Sequence, residues 1–141
     1  MMDHDTTSPA NYVHELLRKV PKARCGLVAS RDGLAITAVN LDSTSAARLS
    51  ATVSAIFSLV GQAAVEAGDG GGGDVHQLHA EVSNSILSIV GAEGSVLAVL
   101  SDLEVNRKVL GFEMRKLVKA LPEQMSTPPR MTTPPTTLSA G

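Results

Sequence analysis

Between Leu49 and Val65 the chain has no charged residue, although its apolar residues recur there at helical spacing. Asp42 or Ser43 can cap a helix that runs to about Ala67, which at ~1.5 Å per residue is roughly 37 Å long. A helix with one buried face and one wet face carries its charges on the wet face. Here Leu49, Val53, Ile56, Val60 and Ala63 form one apolar stripe. Ser50, Ser54 and Ser58 recur every fourth residue beside it, among Ala47, Ala51, Phe57, Gly61 and Ala64. Such a helix needs cover on two sides. The expectation is its own sheet against the apolar stripe and a surface that tolerates small residues on the other.

The flanking sequence supplies that sheet. Ser8-Pro9 reads as an N-cap followed by a proline in the first turn. Val13, Leu16, Leu17 and Val20 then repeat at helical spacing up to Pro21. Cys25–Ala29 and Leu34–Val39 read as a hairpin turned by Ser30-Arg31-Asp32-Gly33. After the long helix, Gly68–Asp74 is a permissive break. Strands at 75–82, 86–90 and 96–100 follow as a meander. The last is apolar on consecutive positions, as in a strand buried on both faces. Asp102 can cap a final helix, about 103–121. In it Val109, Phe112, Leu117, Val118 and Leu121 are expected on the core side, with Arg107, Lys108, Arg115, Lys116 and Lys119 mostly away. The order is α-β-β-α-β-β-β-α. It predicts an α+β fold, a three-layer α/β/α sandwich around a five-stranded, mainly antiparallel sheet. The expected organisation is a flexible N-terminus at 1–8, one domain at 9–121 and a disordered Pro/Thr-rich tail at 122–141.

Composition narrows the function. Of 141 residues, 43% are hydrophobic, which is enough for a core, but only 2% are aromatic. Formal net charge is -2. Base stacking needs aromatic platforms and phosphate binding a basic excess, so nucleic acid is not an expected partner. The first residues lack a signal peptide's basic start and apolar stretch, and direct membrane insertion is not expected. The lone Cys25 reads as a buried thiol in a reducing, cytoplasmic protein.

No catalytic constellation emerges. Gly68–Gly73 satisfies G-x-G-x-x-G, but a helix precedes it and a strand follows, the reverse of a phosphate-binding turn. Asp69 and Asp74 would also repel a pyrophosphate. His76 and His79 are three apart on a strand and point to opposite faces, so they do not share a metal. The serines lack a nucleophile-elbow setting. The expectation is a non-enzyme with no cofactor and no metal.

The segment from about Asn11 to Leu121 resembles the roadblock/LC7 family, whose fold is profilin-like. The resemblance rests on Ser30-Arg31-Asp32-Gly33-Leu34 leading the second strand, on the Ala/Ser-rich helix beginning near Asp42, and on Val109–Leu117 in the final helix. It is closest in character to the actinobacterial branch. It implies a cytoplasmic homodimer, open to membrane association through partners, in which the long helices pack together and the sheets join edge to edge. It further implies a regulator or scaffold for a Ras-like small GTPase, with a sensor kinase complex as a further partner. The helix pattern itself puts that interface on Ala47, Ser50, Ala51, Ser54, Phe57, Ser58 and Gly61, with His79 on the strand at 75–82. Arg31 and Arg48 are the arginines to test for a role in GTP hydrolysis. Alternatives are a small-ligand sensory domain of profilin- or PAS-like fold, and a purely structural assembly subunit.

Overall fold

A computed structural model describes residues 8–121. The expected flexible start, Ser8 apart, and the expected disordered tail lie outside the described residues.

The elements follow the expected order. Helix α1, Pro9–Lys19, starts where the Ser8 hydroxyl accepts the Asn11 N–H at 3.3 Å. Strands β1, Ala23–Ser30, and β2, Ala35–Val39, form the antiparallel hairpin. Gly33, at φ 95°, makes the turn that a residue with a Cβ would resist. Helix α2, Ser43–Glu66, is capped by Asp42, whose carboxylate accepts the Ser45 N–H at 2.7 Å. These hydrogen bonds to the charged form hold the Asp42 carboxyl below its usual range. Strands β3, Gln77–Glu81, β4, Ser85–Ala92, and β5, Ser95–Asp102, form the meander, and helix α3 spans Arg107–Ala120.

Several boundaries differ from the sequence reading, two of them with a local cause. Helix α3 begins four residues beyond the expected start because Asn106, not Asp102, is its cap: its side-chain oxygen accepts the Val109 N–H at 3.1 Å. Asp102 is occupied elsewhere, its N–H on the Lys22 carbonyl at 2.9 Å and its carboxylate on Arg24 at 3.1 Å. Strand β3 is shorter than 75–82, because the chain reaches it only after crossing the end of α2.

The sheet order is β2-β1-β5-β4-β3, and every pairing is antiparallel. Alternation along the strands divides the core. On one side α1 and α3 bury Val13, Leu16, Leu110, Met114 and Leu117 against Val28, Val90, Leu97 and Val99. On the other, α2 buries Val53 and Phe57 against Leu27, Ala29, Ile89, Val96 and Ala98. The apolar run in β5 is thus explained, since its two faces serve two cores. Cys25 is buried, and burial pushes its thiol pKa up, away from the reactive thiolate.

Candidate interaction surface

The face of α2 that meets the sheet consists of Ala46, Ser50, Val53, Phe57 and Gly61. Phe57 is only 5% exposed. Its ring lies against the backbone of Gly91 in β4, where an added Cβ would stand 2.6 Å from a ring carbon. The Arg31 guanidinium sits over the ring, 5.2 Å from its centroid. That guanidinium also donates to the carbonyls of Ala92 at 2.6 Å and Ser95 at 3.3 Å, tying the β1–β2 turn to the β4–β5 turn. The Ser54 hydroxyl donates to the Arg31 carbonyl. One turn further on, Gly61 receives the returning glycine loop: a Cβ there would stand 2.2 Å from the Gly73 carbonyl oxygen.

These contacts show where the expected interface residues lie in the protomer. Ser50, Phe57 and Gly61 face into their own protomer, and Ser54 is half-buried against the hairpin turn. The small residues on this side admit the chain's own turns. Only Ala47, Ala51 and Ser58 of the expected helix residues are exposed. Arg31 and Arg48 are both exposed; Arg31 packs on Phe57 and donates to two backbone carbonyls, and Arg48 stands near the start of α2.

The other flank of α2 is the open one. Leu59 is 61% exposed, Thr52 and Ala63 are exposed, and Leu49, Ile56 and Val60 are half-buried. The sequence reading had put most of this stripe against the sheet. Leu49 and Ile56 instead sit at the margin of the Val53–Phe57 cluster together with Leu78 of β3 and Leu87 of β4. Helix α2 packs mainly on β1 and β2, so the β3–β4 side of the sheet is left thinly covered beside this flank. Strand β3 has one hydrogen-bonded neighbour, β4, and presents a free edge among the described residues. Leu59 and Thr52 are the positions that sequence reasoning missed. Their signal was present as uncharged residues in the charge-free stretch from Leu49 to Val65, but two uncharged flanks looked alike.

His79 lies on the opposite side of β3, under α3. Its Nδ1 is 2.7 Å from the Ser88 hydroxyl and its Nε2 is 2.7 Å from the Gln77 amide nitrogen. The Gln77 amide donates to Nε2, which assigns the ring proton to Nδ1 and makes the imidazole neutral. Desolvation, then the charges of Arg107 and Arg115, hold its pKa below the usual histidine value. His79 is therefore a bonded component of its own sheet face, and its side chain does not extend the α2 surface.

A cleft of about 280 Å³ lies between α2 and the glycine loop, lined by Arg31, Ser58, Gln62 and Asp74 among others. Its arginine already donates to two backbone carbonyls. Helix α2 is long and apolar enough, by length and composition alone, to cross a membrane. Its seat on the sheet through Val53 and Phe57 marks it as a helix of the domain.

The comparisons agree with this architecture. The Roadblock/LC7 domain model matches residues 10–101. The crystal structure of a Roadblock/LC7 domain from Streptomyces avermitilis is 35% identical, covers 79% of this chain and 92% of its own, and superposes with a TM-score of 0.74. Myxococcus xanthus MglB is 14% identical over 82% of this chain and 92% of its own, with a TM-score of 0.71, and shares the fold. Profilin IA of Acanthamoeba castellanii is 16% identical over 81% of this chain and 96% of its own, at a TM-score of 0.50. No curated protein matches the chain. With a family model matching residues 10–101, and a solved relative 35% identical over 79% of the chain, the chain belongs to the Roadblock/LC7 family.

Proposed function

We propose that the chain is a non-catalytic regulator that forms a homodimer through the open flank of α2 and the free edge of β3, and presents the paired α2 helices to a Ras-like small GTPase. One observation carries the self-association: an uncharged, partly exposed apolar flank lies next to a thinly covered half-sheet. A second copy satisfies both at once. Its α2 covers the exposed Leu59 flank, and its β3 pairs with the free edge about a two-fold axis. An MglB of the same fold is described in a tetrameric arrangement, which supports self-association as a property of this architecture. The GTPase partner rests on membership of the family and on the absence, among the described residues, of a catalytic constellation.

The test has two parts. In sedimentation, the wild-type chain is expected as a dimer and Leu59→Arg as a folded monomer, because the charge enters a desolvated contact without touching the protomer core. A Leu59→Arg dimer would sink the interface. GTP hydrolysis by a small GTPase encoded beside this chain is then measured with and without the protein. A changed rate is expected, and an unchanged rate together with no nucleotide-dependent binding removes the regulatory reading. If the chain donates an arginine, Arg48→Ala slows stimulated hydrolysis by at least ~10-fold. Arg31→Ala acts through the Phe57 packing instead.

A further inference from the structure

Helix α3 departs from the sequence reading on its outer side. Phe112 is 57% exposed and Val109 39%. The buried side is Leu110, Gly111, Met114 and Leu117. Phe112 has Lys108 four residues before it, Arg115 three after and Lys116 four after, with Lys119 one turn further along. All four cations are exposed, and helical spacing puts them around the ring. The fourteen residues of α3 hold five cations and one carboxylate, in a chain of net charge -2. The one carboxylate, Glu113, lines the groove beside α1 together with Lys116 and with Tyr12, Glu15 and Leu16. Lys108, Lys116 and Lys119 have no anionic partner among the described residues. A merely solvated helix face gains nothing from an aromatic ring at its centre.

We infer that the outer face of α3 is a docking surface for the anionic surface of a lipid bilayer, with the Phe112 ring at headgroup depth and Lys108, Lys116 and Lys119 on the lipid phosphates. The shape selects this occupant. The ring projects from a convex helix with cations on several sides, which matches a plane of negative charge. A folded acidic protein would need a pocket to receive it. Amphipathic faces of this chemistry lie in the interface, and no segment crosses the bilayer.

The dimer reading, on which the strength of this docking rests, adds a second copy on the same side. Helix α3 lies beside the edge strand: Arg107 pairs with Glu81 at 2.9 Å, and Arg115 donates to the Gln77 side chain at 2.8 Å. Joining two sheets through β3 brings both α3 helices next to the two-fold axis, on the sheet face opposite the α2 pair. Two weak stripes then bind one membrane with the gain of linked sites. The α2 pair stays directed toward the cytoplasm.

The experiment is co-sedimentation of the full chain with vesicles of phosphatidylcholine alone or mixed with phosphatidylglycerol, with sedimentation velocity run on the same samples. Binding to the mixed vesicles only, released by high salt, is expected. Phe112→Ser and the pair Lys116→Ala/Lys119→Ala are each expected to weaken it by roughly tenfold. Equal binding to neutral vesicles, or retained binding by both variants, overturns the proposal. So does binding to polyglutamate without binding to vesicles. A chain that sediments as a dimer yet ignores anionic vesicles refutes the docking surface alone. A monomer that still binds them, with both variants impaired, supports the surface and refutes the dimer.

Discussion

The chain's two phenylalanines sit in the middles of two helices, and the fold treats them oppositely. Phe57 of α2 is 5% exposed, and Phe112 of α3 is 57% exposed. The sequence reading had them the other way round, Phe57 toward a partner and Phe112 in the core. For Phe112 the answer was already local: cations stand at positions four before, three after and four after, and a ring among them cannot share their helix face with Leu110 and Met114. For Phe57 local pattern could not decide. Its neighbours at those spacings are Val53, Val60 and Gly61, all uncharged. What fixes its direction is distant in sequence: the missing side chain of Gly91 and the guanidinium of Arg31. A helix without charges carries little orientational information, and tertiary contacts then supply it.

The largest expected effect follows from that contrast. Phe57→Ala removes a ring packed on Gly91 and under Arg31, and is expected to cost about 3–5 kcal/mol in urea denaturation. Phe112→Ala is expected to stay within about 0.5 kcal/mol. Similar losses from the two substitutions would mean that one of the helices is rotated relative to this description.

Legibility of the rest divides along the same line. Element order, the α2 cap at Asp42, the turn at Gly33 and the antiparallel meander were readable because caps, turn residues and periodicity act within a few residues. The α3 start was misplaced because Asp102 and Asn106 are both competent caps, and the choice depends on Asp102 being taken by Lys22 and Arg24 from another part of the chain. The candidate surface was readable as a property of α2 but not as a set of residues. Ser50, Ser54 and Gly61 looked like the small residues of a helix pair. They are small because the protomer's own sheet, hairpin turn and glycine loop approach them.

Gly61 and Gly111 sharpen the comparison, since each sits inside its helix and the same substitution has opposite signs. In α2 a Cβ at position 61 would stand 2.2 Å from the backbone oxygen of Gly73, which cannot move without displacing the loop. Gly61→Ala is expected to destabilise by about 1–3 kcal/mol. In α3 the nearest atom to a Cβ at position 111 is the end of the flexible Arg115 side chain, at 3.1 Å. Gly111→Ala is expected to gain about 0.5–1 kcal/mol from helix propensity. Thermal unfolding of the two single variants decides it, and a stabilised Gly61→Ala would show that the loop does not rest on α2.

The smallest expected effect lies where α3 meets the edge strand. His79 is held neutral by burial and by the nearby charges of Arg107 and Arg115, the first of them partly offset by Glu81. Its folded pKa lies below the unfolded value near 6.5, so in the window between the two the unfolded chain binds more protons. Stability from this site is complete above that unfolded value and declines as pH falls through the window. Protonation at Nε2 would also oppose the hydrogen bond donated by Gln77. His79→Gln removes the titrating group, and its denaturation midpoint is expected to fall less than that of the wild type on mild acidification. Parallel curves would mean that the imidazole gains a compensating acceptor when charged. Such an acceptor would place a carboxylate over β3, between the arginines of α3, and would reduce the positive charge next to the Phe112 stripe.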